Sequence, residues 1–440
     1  MEEKRQITKP RTLSGFMELL PDKQILFNQM IDTIRSTYEK FGFLPLDTPV
    51  MELSEVLLAK AGGETEKQIY RFTKGDTDLS LRFDLTVPLA KYVAMHQNEL
   101  SFPFRRYQIG KVYRGERAQA GRFREFYQCD IDIIGDGELS LAHDAEIPSI
   151  IYEVFKKLGL GDFVICINNR KLLNGLFESL SLNNISTDIM RIIDKIEKIG
   201  KEAVIEEFED LKIDNSSINT ILEFMEIKGS TDEICNKLEN MKIESNTFKE
   251  GLNELKEVVK YIRIFGIPEN NFKIDLTIAR GLDYYTGTVY ETFLKEYRQI
   301  GSICSGGRYE NLAEFYTNQK LPGVGISIGL TRLFYKLNEL DILKKEEESI
   351  AKVLVLPATN NEIEKCFEIA TKLRKEEIKT EVYLNDKKLK AKFKYADKIK
   401  VPYTIVIGEE EIEKEKVMLK NMRTGEQEQV TLEDAIKEIK

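Results

Sequence analysis

The stretch Arg280-Gly-Leu-Asp-Tyr-Tyr-Thr-Gly-Thr-Val-Tyr-Glu291 sets a cation, two adjacent phenols and two glycines directly after a strand-like segment. In that segment Phe272, Ile274, Leu276 and Ile278 alternate with Lys273, Asp275 and Thr277, which predicts a half-buried antiparallel strand. Continuing the pleat would place Arg280 on the apolar face, where an unpaired guanidinium is costly. Either the strand bends at Gly281 or Arg280 meets an anion. A strand end carrying a surface arginine fits the spacing equally well.

Working outward, the 440 residues are 42% apolar and 32% charged, enough for about two or three domains with a substantial core. The 65 Lys+Arg against 74 Asp+Glu give a net charge of −9, so a nucleic-acid ligand would need local basic patches. No apolar run approaches the roughly 18 residues of a membrane span, and the first five residues lead into no signal-peptide core. Cys129, Cys166, Cys235, Cys304 and Cys366 are odd in number and far apart, supporting neither a disulfide framework nor a zinc site. A cytoplasmic location is expected. With only His96 and His143 present, a histidine base or a His-rich metal site is poorly supported, and chemistry would rest on positioning and charge.

The pattern along the chain divides it. Residues 1–168 and 267–335 mix strands and helices without a βαβ rhythm. Asp22 is placed to cap a helix running to about Phe41, and Phe43 to Pro49 reads as an extended edge or interface segment. Between them, residues 169–266 read as a helical insertion, from the spacing of Ile189, Ile192, Ile193, Ile196 and Ile199 and of Leu252, Leu255, Val258, Val259 and Ile262. A charged linker at 336–350 leads to strands alternating with helices over 351–440, the pattern of a small α/β domain.

Three segments carry candidate chemistry. Arg82-Phe-Asp-Leu-Thr86 reads as a strand with Arg82, Asp84 and Thr86 on one face, either a solvent side or the wall of a polar pocket. Phe104 to Gly135 reads as strand, loop and strand, with Phe126, Gln128, Asp130 and Asp132 on one face. Gln128 and Asp132 lie about 13 Å apart along the backbone, a span that suits opposite ends of one small ligand. The arginines of this segment (Arg105, Arg106, Arg114, Arg117, Arg122, Arg124) suit a triphosphate, each offering two parallel donors. Glycines flank Tyr309 and Arg332 and let a ligand approach the backbone, but their spacing fits neither a dinucleotide fingerprint nor a P-loop.

Taken in order, these segments resemble a class II aminoacyl-tRNA synthetase, and within that class the histidyl-tRNA synthetases. Phe43 to Pro49 is similar to motif 1, Arg114 to Gly135 to motif 2, and Gly323 to Leu333 to motif 3. Arg280 to Gly287 and Gly306-Gly-Arg-Tyr309 resemble the two histidine-specific signatures. The resemblance extends over nearly the whole chain. Thr331 departs from it, since motif 3 often has an acid before the arginine; this bears on a local salt bridge and not on the fold.

The implied fold is an α+β catalytic domain built on an antiparallel sheet, with a helical insertion and a C-terminal α/β anticodon-binding-like domain. The implied activity is ligation of L-histidine to histidine tRNA through an adenylate. For ATP, the resemblance implies Arg280 and Arg114 at the α-phosphate, Arg332 at the nucleotide's phosphates or stacked near the adenine, Phe126 on the adenine and Glu116 near its amino group. Magnesium would bridge the outer phosphates, with no protein metal site. For histidine it implies Asp84 and Thr86 at the α-amino group, with Arg114 also on the carboxylate. Gln128 would lie along the substrate, Asp132, Tyr285 and Tyr309 around the imidazole, and Tyr284 in support. For tRNA it implies Arg117 and Gln119, together with the lysine run that includes Lys388 and Lys392. A homodimer without membrane association is expected. The rival reading is the histidine-sensing regulatory subunit of ATP phosphoribosyltransferase, but such subunits generally lack the C-terminal domain and carry eroded signatures.

Overall fold

A computed structural model describes residues 7–59, 64–117, 121–193, 195–278, 285–310, 313–343 and 349–440. The chain forms two compact units, one built mainly from Met30–Ile342, the other from Leu343–Lys440 together with Leu19–Gln29.

The first unit contains β1 Leu44–Pro45, β2 Met51–Leu53, β3 Arg71–Lys74, β4 Thr77–Leu81, β5 Phe104–Tyr113 and β6 Glu125–Ile134. It continues with β7 Phe163–Asn169, β8 Phe272–Ile274, β9 Tyr285–Leu294, β10 Cys304–Tyr309 and β11 Gly323–Gly329. Eight strands form one sheet in the order β1-β5-β6-β11-β10-β9-β7-β8, and β2-β4-β3 form a smaller one. The centre of the large sheet is antiparallel throughout. Parallel pairs close its edges, β1 on β5 and β8 on β7. As the prolines suggest, Leu44–Pro45 lies on an edge.

The two faces of the sheet do different work because strand side chains alternate. Ile131 and Ile133 on β6 and Tyr290 on β9 are buried, and Tyr290 reaches the helix Ala142–Lys157 by donating its hydroxyl to the Asp144 carbonyl at 2.6 Å. Arg308 on β10 joins the same helix through a two-pronged ion pair with Asp144, at 2.6 Å to Oδ2. The other face carries Gln128, Asp130 and Asp132. At one end of that face the helix Thr86–His96 seals a cluster of Leu89, Val93, Phe104, Ile134 and Tyr309.

Three readings change in detail. The segment from Phe272 is a three-residue parallel edge strand, not a long antiparallel one. Asp275 ends it by accepting the Thr277 N–H and hydroxyl in a turn, while Leu276 and Ile278 are still buried. The strand β4 stops at Leu81, so Arg82 to Thr86 is not a strand. Asp84 Oδ1 instead accepts the Val87 N–H at 3.0 Å, at the start of the helix Thr86–His96. The first helix, Pro21–Lys40, begins at the proline, which has no N–H to leave unpaired, so Asp22 sits within its first turn.

Between 170 and 264 the described structure is helical, from Arg170–Ser179 to Asn246–Ile264. Those two helices meet backbone to backbone. A Cβ at Gly175 would stand 2.3 Å from the Phe248 nitrogen, and one at Gly251 would stand 2.8 Å from the Lys171 Cβ. Gly200, at φ +85°, kinks the helix Ile196–Asp210.

In the second unit β12 Val353–Pro357, β13 Thr380–Val382, β14 Tyr403–Ile407, β15 Val417–Asn421 and β16 Gln427–Val430 form a sheet ordered β13-β12-β14-β15-β16. Val353, Val355, Ile405 and Ile407 pack on one face with Ile369, Leu373 and Ile439. Leu354, Leu356 and Val406 pack on the other with Ala396. Thr431 caps the last helix by accepting the Asp434 N–H. No helix among the described residues is long and apolar enough to cross a membrane.

Gly175→Ala should force the two helices apart and lower the melting temperature by several degrees, a loss of about 1–3 kcal/mol as for other overpacked contacts. Scanning calorimetry decides it; an unchanged melting temperature would contradict the close approach.

Candidate active site

A cavity of about 440 Å³ opens over the polar face of the central strands. One fixed point in its wall is Asp132. Its Oδ2 pairs with the Arg106 guanidinium at 2.6 Å, and its Oδ1 accepts the Tyr309 hydroxyl at 3.0 Å. Arg106 and Asp132 face each other across β5 and β6, and both are almost wholly buried. Beyond Asp132, Arg106 also donates to the Leu85 carbonyl at 3.3 Å.

Two glycines of β11 make this arrangement possible. A Cβ at Gly323 would stand 2.4 Å from the Tyr309 ring, and one at Gly325 would stand 2.3 Å from Asp132 Oδ1. At these two positions the missing side chains therefore make room for the protein's own phenol and carboxylate rather than for a ligand.

Further along β6, Gln128 Nε2 donates to Ser327 Oγ at 2.7 Å. This leaves Gln128 Oε1 buried with no donor among the described residues, as are Asp84 Oδ2 and Asp130 Oδ1. Arg114 donates to the Phe83 carbonyl at 3.0 Å and lies 5.3 Å from the Phe126 ring centre. Arg332 donates to the Ile300 carbonyl. In place of an acid before that arginine, Thr331 accepts the Tyr127 N–H at 2.8 Å, so a hydrogen bond ties the helix Leu330–Glu339 to β6 without a charge.

Burial raises the three buried aspartates of the cavity. Asp130 is pushed up to about 7, the loss of solvation outweighing Arg106 and the Ser327 hydroxyl, with Asp132 and Asp84 adding to the rise. Asp132 is pushed up to about 6 against the pull of Arg106 and Tyr309. Asp84 is raised by burial, opposed by the Val87 N–H and Arg114.

One cavity thus collects Asp84, Thr86, Arg114, Gln128 and Asp132, with Tyr285 and Tyr309 at one end and Glu116, Phe126 and Arg332 also in its wall. Arg280, Tyr284 and Gln119 lie outside the described residues. Arg117 is exposed. Lys388 is exposed just before the helix Leu389–Lys398, but Lys392 on that helix is fully buried. Its Nζ donates to the Pro357 carbonyl at 2.7 Å, so the expected phosphate contact by Lys392 is withdrawn.

Other arginines are also spent internally. Arg105 grips Glu146 at 2.7 Å and holds that carboxyl at about 2, along with His143, against the opposing effect of burial. Arg82 clamps the Thr48 and Lys111 carbonyls in place of walling the pocket. Sequence reasoning gave no role to Asp130 or Ser327 and read Arg106 as a phosphate ligand. The alternation along β6 did place Asp130 on this face; nothing local marked Ser327.

The family model for histidyl-tRNA synthetase matches residues 15–333, and that for an anticodon binding domain matches residues 352–440. A histidine–tRNA ligase of Clostridium tetani is 62% identical over 438 residues, covering 99% of each chain. That of Finegoldia magna is 49% identical over 98% of this chain and 100% of the relative. The chain belongs to the histidyl-tRNA synthetase family.

The crystal structure of a histidyl-tRNA synthetase from Nostoc sp. PCC 7120 superposes with a TM-score of 0.92 at 42% identity, covering 98% of this chain and 99% of that one. The fold is accordingly that of the class II synthetases, carried through to the C-terminal α/β domain. The ligase reading, an aminoacyl-tRNA synthetase, is the one that full-length identity supports. A Bacillus halodurans structure described as an ATP phosphoribosyltransferase regulatory subunit/histidyl-tRNA synthetase reaches a TM-score of 0.74 at 20% identity, a likeness of fold alone.

The raised carboxyls in this synthetase fold have a consequence for stability. Asp130 and Asp132 keep protons that an unfolded aspartate, titrating near 3.9, has already lost. From about pH 4 to about pH 7 the folded state therefore binds more protons, and their contribution to stability falls as pH rises through that window. Asp130→Asn cannot titrate, so its melting temperature should drop less between about pH 5 and about pH 8 than that of the parent chain. Equal drops in calorimetry would mean that Asp130 is already ionised in the folded protein.

Proposed function

We propose that this cavity activates L-histidine with ATP and passes the histidyl group to the 3′ end of histidine tRNA. The observation that carries the proposal is the fixed Arg106–Asp132–Tyr309 chain at one end of a cavity where three buried acceptors, Asp84 Oδ2, Gln128 Oε1 and Asp130 Oδ1, have no donor among the described residues. An imidazole N–H has a preset acceptor in Asp132. Asp84 Oδ2 and Gln128 Oε1 are open to an ammonium, with Thr86 beside them in the cavity wall. A pocket that must pair its own buried polar groups rejects apolar amino acids by roughly 10⁴-fold.

Activation needs no general base, because the amino acid's carboxylate is already ionised at neutral pH. One carboxylate oxygen attacks the α-phosphorus, the bond to the bridging oxygen breaks, and pyrophosphate leaves with the electron pair. What the chain supplies is alignment and charge. Arg114 binds the substrate carboxylate and α-phosphate, Phe126 packs on the adenine with Glu116 near its amino group, and Arg332 meets the phosphates. Arg280 stabilises the charge on the α-phosphoryl oxygens. In the second step a terminal ribose hydroxyl of the tRNA attacks the acyl carbonyl, and AMP leaves.

Magnesium would enter with the nucleotide. Glu291, a carboxylate in the cavity wall, fits the one or two protein ligands this ion takes beside phosphate oxygens. When bound it neutralises charge on the outer phosphates. Arg117, Gln119 and Lys388 contact tRNA phosphate. The edge strand β1 and the exposed Leu44, Met51 and Leu53 form the contact of a homodimer. Residues 1–168 and 267–335 form the catalytic domain, 169–266 an insertion and 351–440 the anticodon-binding domain, in a cytoplasmic enzyme; 336–350 links the domains, though residues 336–339 still belong to the helix Leu330–Glu339.

Exchange of labelled pyrophosphate into ATP should require histidine and no other amino acid. Arg280→Ala should slow that exchange by about 10³-fold or more, as for other transition-state arginines. A loss below about tenfold would remove Arg280 from the chemistry, and exchange driven by another amino acid would overturn the substrate.

A further inference from the structure

Asp130 has no part in the roles above, yet it faces the same cavity. It stands between Gln128 and Asp132 on β6, opposite Ser327 of β11 and Gln108 of β5. It is 2% exposed, and its Oδ1 has no donor among the described residues. Two further cavity atoms share that condition, Asp84 Oδ2 and Gln128 Oε1. All three are acceptors.

Of the neighbouring polar groups, Arg106 keeps two nitrogens, Nε and Nη1, without an acceptor among the described residues, and the others are engaged. Asp132 is held by Arg106 and Tyr309, and the Gln108 amide nitrogen is directed to Asp47 and Thr48. Buried acceptors without donors are costly to leave dry. Three of them on one cavity describe a ligand group that brings several N–H bonds and a positive charge. An α-ammonium has three such bonds; a neutral imidazole has one. The charged groups acting on Asp130 are one cation, Arg106, and two carboxyls, Asp132 and Asp84. An arriving ammonium therefore meets acidic groups in excess.

We infer that Asp130 is a further contact for the substrate's α-ammonium, beside Asp84 and Gln128, and that it sets the preference of this site for histidine over the same molecule without its amino group. The inference rests on the reading of the cavity as a histidine site. Ser327, which accepts from Gln128 Nε2, stands opposite Asp130 across β6 and β11.

Calorimetric titration of the full chain with L-histidine and with 3-(imidazol-4-yl)propionate, which lacks the ammonium, separates the possibilities. Asp130→Asn keeps the shape and removes the charge. It should weaken histidine by about tenfold and change the propionate by less than about twofold. In pyrophosphate exchange the KM for histidine should rise by a similar factor while the KM for ATP stays fixed. Asp130→Ser serves if the asparagine variant does not fold, and predicts the same pattern. Equal weakening of both ligands would mark a merely structural residue, and undiminished histidine affinity would remove Asp130 from the contact; either overturns the inference. Failure of the unmutated chain to bind histidine would overturn the site reading with it.

Discussion

The buried ion pair between Arg106 and Asp132, 2.6 Å long, is the constraint on which the rest of the site depends. A guanidinium and a carboxylate so far from water gain little net stability, because desolvation offsets their attraction, but removing either partner leaves an uncompensated charge. The pair therefore acts as a locator more than as a stabiliser. It fixes Asp132 at one register of β5 against β6. Tyr309 then crosses from β10 over Gly323 of β11 to donate to the same carboxylate. Three strands, β5, β6 and β10, are thus tied at one carboxylate across β11, and a side chain on Gly323 or Gly325 would collide with the device.

A second buried pair organises the opposite face. Arg308, the neighbour of Tyr309, turns away from the cavity to grip Asp144. Adjacent residues of one strand thereby lock β10 to its supporting helix and to the ligand pocket, by alternation alone. The short Gly-Gly-Arg-Tyr run is dense because each residue meets a different neighbour: the glycines admit close backbone packing, the arginine a helix, and the tyrosine a carboxylate.

The legibility of the sequence followed the range of the interactions. Alternation along β6 told which side chains share the cavity, and helical spacing told that residues such as Leu255 and Ile262 would be buried. Local turn chemistry misled where one side chain outweighed the pattern: Asp275 ended a strand that periodicity continued, and Asp84 opened a helix where alternation read a strand. Charge was the least legible property. Lys392 belongs to a lysine run that reads as a phosphate surface, yet its position on the helix turns it inward to the Pro357 carbonyl. Arg106 reads as one of several phosphate ligands, and only the cross-strand register reveals its partner. Thr331 looked like a loss of a salt bridge and proves to take the Tyr127 N–H instead.

The account stands on Asp132 as a fixed acceptor for the imidazole. A crystal structure with bound histidine measures this directly. It should show a ring nitrogen within about 3.2 Å of the Asp132 carboxylate, at ordinary hydrogen-bond distance, with the Arg106 pair and the Tyr309 hydroxyl still in place. A ring bound elsewhere in the cavity, or an Asp132 that leaves Arg106 to reach its ligand, would contradict it.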